Sequence, residues 1–104
     1  MPTYSDQPIV VGDTIDFKLH ARKDRATWDL TGATVSLYLK NPSGIVSAAL
    51  SATITDATAG IADYTTTTEL DEDGDWVRQW KVVSGAVTLW SEEIEFSVLP
   101  NVVT

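Results

Sequence analysis

The stretch "ELDEDGDWVRQWKVV", residues 69–83, carries five acidic residues in its first seven positions and then turns aromatic and aliphatic. From Trp76 onward it alternates, so that Trp76, Arg78, Trp80 and Val82 share one face of an extended chain. This predicts a strand entered through an acidic, glycine-containing corner. Leu70 is the apolar plug of that corner. Asp73-Gly74 is its turn, because glycine takes positive φ at little cost. Trp76 is its anchor, with an indole nitrogen that donates a hydrogen bond but accepts none. Of the pair Trp76 and Trp80, at least one is expected in the core.

The rest of the chain follows the same grammar. Pro8 to Val11 is a first edge segment. In "TIDFKLHA", Ile15, Phe17 and Leu19 alternate with Asp16, Lys18 and His20, as in a half-buried strand. The polar stretch "RKDRATWDLTG" reads as a loop ending at Gly32. "ATVSLYLK" sets Val35, Leu37 and Leu39 against Ser36 and Tyr38. Asn41-Pro42-Ser43-Gly44 is a strong turn. "IVSAALSATITD" holds a short strand and a longer one, with Ala52 and Ile54 facing the core. Ala59-Gly60 is a further turn, and in "IADYTTTT" Ala62 and Tyr64 point inward. Ser84-Gly85 marks a hairpin. In the last run, Ile94, Phe96 and Val98 are out of phase with Val87 and Leu89, which requires a bulge near Ser91-Glu92. β-Branched residues are dense and helical spacing is nearly absent. Seven or eight antiparallel strands in 104 residues predict a single domain, 1–104: an immunoglobulin-like β-sandwich with short extended termini. A small barrel is the alternative.

The composition narrows function more than it defines it. The net charge of −8 disfavours nucleic acid and anionic membranes as partners. No apolar run approaches the length that spans a bilayer. The first ten residues lack the basic and apolar regions of a secretory signal, and the initiating Met fits a complete small gene product. With no cysteine there is no disulfide framework, thiolate zinc site or cysteine nucleophile.

Asp71, Asp73 and Asp75 around a glycine resemble the start of an EF-hand loop. Counted from Asp71, however, the sixth position is Trp76 rather than glycine and the twelfth is Val82 rather than glutamate. An irregular calcium site there is the lesser reading, and a structural corner the better one. His20, the one histidine, falls on the polar phase of its strand and lacks the elbow sequence of a hydrolase. There is no phosphate loop or dinucleotide fingerprint. No catalytic residue, metal or cofactor is expected, nor a small-molecule substrate.

Docking residues stand out more. Arg22, Lys23 and Arg25 cluster just before Trp28 on an otherwise acidic chain, an electrostatic handle for a neighbouring copy or another protein. Four tryptophans are many for this length, and Trp28 and Trp90 lie where exposure is plausible, as at interface hot spots or sugar platforms. Tyr4 and Val102-Val103 are apolar terminal residues with no evident core place, which fits ordering on a neighbour.

The order "GDTIDFKLHA", "WDLTGATVSLYLKNPSG", "DATAGIADYTTT", "DEDGDWVRQWKVVSG", "EEIEFSVLP" resembles small immunoglobulin-like structural proteins of tailed bacteriophages. It is similar in particular to the N-terminal domain of the phage baseplate upper protein family, over nearly the whole chain. The resemblance implies a non-enzymatic virion component that docks to other virion proteins and to copies of itself, with no catalytic residues to carry over. Members of the baseplate type continue into a coiled stalk and receptor-binding parts, whereas this sequence ends at Thr104. It therefore implies a standalone tail, baseplate, neck or capsid-attached subunit, assembled in the host cytoplasm and residing in the virion. The rival expectation is a carbohydrate- or ligand-binding module built on Trp28 or Trp90.

Overall fold

The computed structural model describes residues 9–23 and 25–101, and every regular element among them is a strand. In chain order these are β1 (Ile9–Val10), β2 (Asp16–His20), β3 (Arg22–Lys23), β4 (Ala26–Thr27), β5 (Thr34–Lys40), β6 (Leu50–Ser51), β7 (Thr53–Asp56), β8 (Ile61–Thr65), β9 (Gly74–Ser84), β10 (Val87–Trp90) and β11 (Ile94–Leu99). The architecture is sandwich-like. A large curled sheet, ordered β1-β11-β9-β5-β6 with β10 also on β9, faces a smaller sheet ordered β2-β8-β7. The ribbon β3–β4 stands apart.

β9 is the spine of the large sheet. One edge pairs with β5 from Thr34↔Val83 to Lys40↔Val77. Its other edge pairs first with β11 and then with β10. The expected bulge lies between them. Trp90 is opposite Lys81 while Ile94 is opposite Arg78, so four steps on one strand match three on the other. Ser91 closes the gap. Its hydroxyl accepts from the Trp80 N–H at 2.9 Å and its own N–H donates to the Trp80 carbonyl at 2.9 Å.

The strand count exceeds the seven or eight expected. The bulge divides the last strand in two, and the polar stretch read as a loop contains the β3–β4 hairpin. The pairing is also not wholly antiparallel, because β1 runs parallel to β11 through Ile9↔Val98 and Val10↔Leu99. Between β6 and β7 the chain changes sheets. β6 pairs with β5, β7 pairs with β8, and the crossing residue Ala52 donates to the Val35 carbonyl at 3.0 Å.

The core is built from the inward phases read from the sequence, except that Ile94 of the last strand is exposed. Phe17, Val35, Leu37, Leu39, Ala62, Trp76, Trp80, Val82 and Val98 are buried between the sheets. Both tryptophans of the 76/80 pair are therefore core residues. Each large apolar side chain buried in this way contributes about 1.5–3 kcal/mol. Phe96 packs against Phe17 (centroids 5.3 Å apart) and Trp76 (6.2 Å). Arg78 shares this phase and lays its guanidinium 5.1 Å from the Phe17 ring centre. Partial burial pulls its pKa down, but a guanidinium stays charged at any ordinary pH.

Two short polar segments complete the frame. In Asp29-Leu30-Thr31-Gly32, one Asp29 carboxylate oxygen accepts from the Thr31 hydroxyl at 2.6 Å and the Thr31 N–H at 2.9 Å. These bonds hold the Asp29 pKa below its ordinary value and turn Leu30 fully into the core. In the threonine run, Thr66 alone is buried. Its hydroxyl accepts from the Ile15 N–H at 2.9 Å and donates to the Asp13 carbonyl at 3.3 Å, so the buried polar group is satisfied.

Candidate functional site

The acidic stretch folds as a corner. Leu70 is the plug, with 2% of its surface exposed, and its carbonyl accepts from the Gly12 N–H at 3.0 Å. The Trp76 indole donates to the Glu72 carbonyl at 2.8 Å. The bend centres on Glu72, and Gly74 (φ +126°) already opens β9, so the turn comes one step earlier than the expected Asp73-Gly74. The carboxylates diverge. Glu72 accepts from the Ser43 hydroxyl at 2.8 Å and Asp75 from the Ser97 hydroxyl at 3.1 Å, while Asp71 and Asp73 are exposed. Among the described residues no group of three carboxylate or imidazole side chains is placed to hold a metal ion.

Glu69 is engaged differently. Its carboxylate accepts from the Tyr64 hydroxyl at 2.5 Å and from the Thr67 N–H at 2.6 Å. Burial pushes the Glu69 pKa up, but the bonds from Tyr64, from the backbone of Thr67 and Glu69, and from the Thr67 hydroxyl outweigh it, and the net shift is down. Tyr64 is pushed up to about 12, first by the hydrogen bond that holds its proton, then by burial and by the Glu69 charge. Glu69 thus adds stability above its unfolded pKa of about 4.3, lost as the pH falls through the folded value. Tyr64 adds stability that is full below pH 10 and is lost as the pH rises through about 12. Tyr64→Phe is expected to cost about 1 kcal/mol at neutral pH and to remove that alkaline loss. Urea denaturation of both proteins across the range measures it, and equal alkaline slopes would refute the assignment.

The basic stretch folds as the β3–β4 hairpin. Arg22 pairs with Thr27, and the tip carries Arg25 at φ +66°. The Arg22 guanidinium donates to the Arg25 carbonyl at 3.1 Å, which secures this positive φ. Arg22 and Arg25 are exposed. The hairpin's base is clamped by backbone: the Ala21 N–H donates to the Gly60 carbonyl at 2.7 Å and the Trp28 N–H to the Ala21 carbonyl at 3.0 Å. Beside it opens a cavity of about 280 Å³ between the edges of the two sheets, lined among others by Leu19, His20, Trp28, Val82 and Leu89. Both edges there are unpaired among the described residues, since β2 pairs only with β8 and β10 only with β9.

The two candidate tryptophans both border the cavity but differ in exposure and contacts. Trp28 is half-buried and packs on the core at the cavity wall, over the open end of the sandwich. Trp90 is 51% exposed and its ring lies on the outer face of the large sheet, 5.5 Å from Tyr38 and 5.2 Å from the Lys81 ammonium. Arg22, Arg25 and Trp28 are thus brought together at one end, whereas Tyr4, Val102, Val103 and the Lys23 side chain lie outside the described residues. The exposed strand histidine, His20, also borders the cavity. The Tyr38–Trp90 pair escaped sequence reading because it depends on the register of three strands, β5, β9 and β10.

Besides Trp90, Ile94 and Leu99, the large exposed apolar residues are two pairs. Val87 and Leu89 lie on β10, where Leu89 lines the cavity, and Ile45 (65% exposed) and Val46 (57%) lie in the β5–β6 turn. That turn adjoins the acidic corner through the Ser43–Glu72 bond and through Pro42, which lies against Gly74. No protein-family model matches the chain, and a search of curated proteins finds no match.

Proposed function

We propose that the chain is a non-enzymatic structural subunit of a tailed-bacteriophage virion, working as an immunoglobulin-like docking module. The strand order supports the immunoglobulin-like reading: β1-β11-β9-β5-β6 over β2-β8-β7, with the first strand parallel to the last. The observation that carries docking is the pairing of unpaired sheet edges with exposed apolar side chains at Val87, Leu89 and Trp90. Such edges and patches are the surfaces through which β-proteins meet partners. The virion assignment rests on the sequence resemblance. Its test is an antibody raised against the purified protein and applied to tailed particles released by the cells that express it. Labelled particles are the expected result, and label confined to the soluble lysate overturns the virion assignment. The pair of exposed Trp90 and half-buried Tyr38 beside Lys81 favours a second reading, a carbohydrate platform. Quenching of indole fluorescence by glycans, lost in Trp90→Ala, would move the assignment there.

A further inference from the structure

The basic hairpin and the acidic corner lie at opposite ends of the molecule. β9 runs between them, from Gly74 at the corner to Val82 beside the cavity. Eight steps of strand cover about 27 Å, within a longest dimension of 45 Å. The corner end carries Glu69, Asp71, Glu72, Asp73 and Asp75, with Lys40 the cation of the adjoining strand end. The hairpin end carries Arg22 and Arg25, with Lys81 nearby and His20 at the cavity. Its described carboxylates, Asp29 and Asp56, are turned into their own loops by Thr31, Thr58 and Ala59. Among the described residues, neither arginine and none of the corner carboxylates makes an ion pair.

Each end joins its charge to exposed apolar surface. Leu89 lines the cavity with Arg22, with Val87 two residues before it on β10, and Ile45 and Val46 accompany the carboxylates. The two ends are therefore complementary in charge and alike in apolar character, on one and the same chain. We propose that the hairpin end of one copy docks on the corner end of the next, so that copies associate head to tail. This rests on the docking reading above and names its partner as a second copy. Exposed ion pairs add little affinity one by one, so the charges choose partner and register while the apolar residues supply the holding energy. A contact between two different surfaces leaves one of each unused at the ends, and growth continues until a ring closes or a filament forms.

Charge reversal at either end tests this. The full chain is followed by light scattering at about 0.15 M salt, where the Debye length is about 8 Å and the net repulsion between copies is short-ranged. Wild-type mass is expected to rise with concentration. Arg22→Glu/Arg25→Glu and Asp71→Lys/Asp73→Lys, all at exposed positions, are each expected to weaken association about tenfold or more while leaving the melting temperature within a few degrees of wild type. An equimolar mixture of the two variants is expected to regain growth, because each then presents the end the other lacks. A monomeric wild type, unaltered association in either variant, or a mixture that stays monomeric overturns the proposal. A monomer that is nonetheless found in particles overturns head-to-tail docking alone. Self-association without particle labelling overturns the virion assignment alone.

Discussion

Gly60→Ala is expected to lower stability by about 3 kcal/mol, a shift of about 15 °C in melting temperature for a domain of this size. Gly60 sits at φ +71°, where an L side chain strains the backbone by about 1–2 kcal/mol. A Cβ there would also lie 2.7 Å from the Trp28 carbonyl oxygen and 2.8 Å from that of Ala21. Both obstacles are backbone atoms of the hairpin's base, so no rotamer change relieves them. The control is Gly85→Ala, at φ +60° with open space around the added carbon. It bears the backbone strain alone, about 1 kcal/mol. Thermal or urea denaturation of the two variants measures the difference, and equal losses would show that the carbonyl contacts yield.

Trp76→Ala is expected to cost about 4 kcal/mol, the scale of deleting a large aromatic side chain from a packed core. Trp76→Phe separates the two roles of the residue. It retains a ring to pack against Phe96 and loses the hydrogen bond to the Glu72 carbonyl, at a cost of about 1–2 kcal/mol. Hydrogen exchange adds a spatial readout: the Phe variant should speed exchange around residues 70–75, while the Ala variant should also loosen β9 and β11. If the Phe variant loses as much as the Ala variant, the indole bond outweighs packing and the account of the corner is wrong.

The strands were legible wherever one face is buried, because a period of two then writes the inward set into the sequence. Val35, Leu37 and Leu39 show it, as do Trp76, Trp80 and Val82. The phase break before Ile94 even located the bulge. What escaped was decided by partners far along the chain. β3 and β4 bury no alternating apolar set, and their hairpin is held by the Gly60 carbonyl and by the Arg22–Arg25 bond. The parallel course of β1 depends on its pairing with Val98 and Leu99. In "TTTT" the four side chains are chemically identical, and only the position of Ile15 and Asp13 selects Thr66 for burial. At the candidate surface the arginine cluster and Trp28 were visible as residue types. Their grouping with His20 and Leu89 depends on how β2 and β10 face each other across the cavity.

The clasp at the base of the hairpin has a bearing on how such a chain diversifies. The bonds that fasten it, Ala21 to Gly60 and Trp28 to Ala21, are made by main-chain atoms just outside residues 22–27. None of that tip's described side chains, those of Arg22, Arg25, Ala26 and Thr27, belongs to the buried core. The tip is therefore an interchangeable cartridge: its six residues can be rewritten, in sign of charge or in shape, while the frame that presents them keeps its stability. Lineages sharing this frame are free to trade one binding preference for another by mutation within a single short segment.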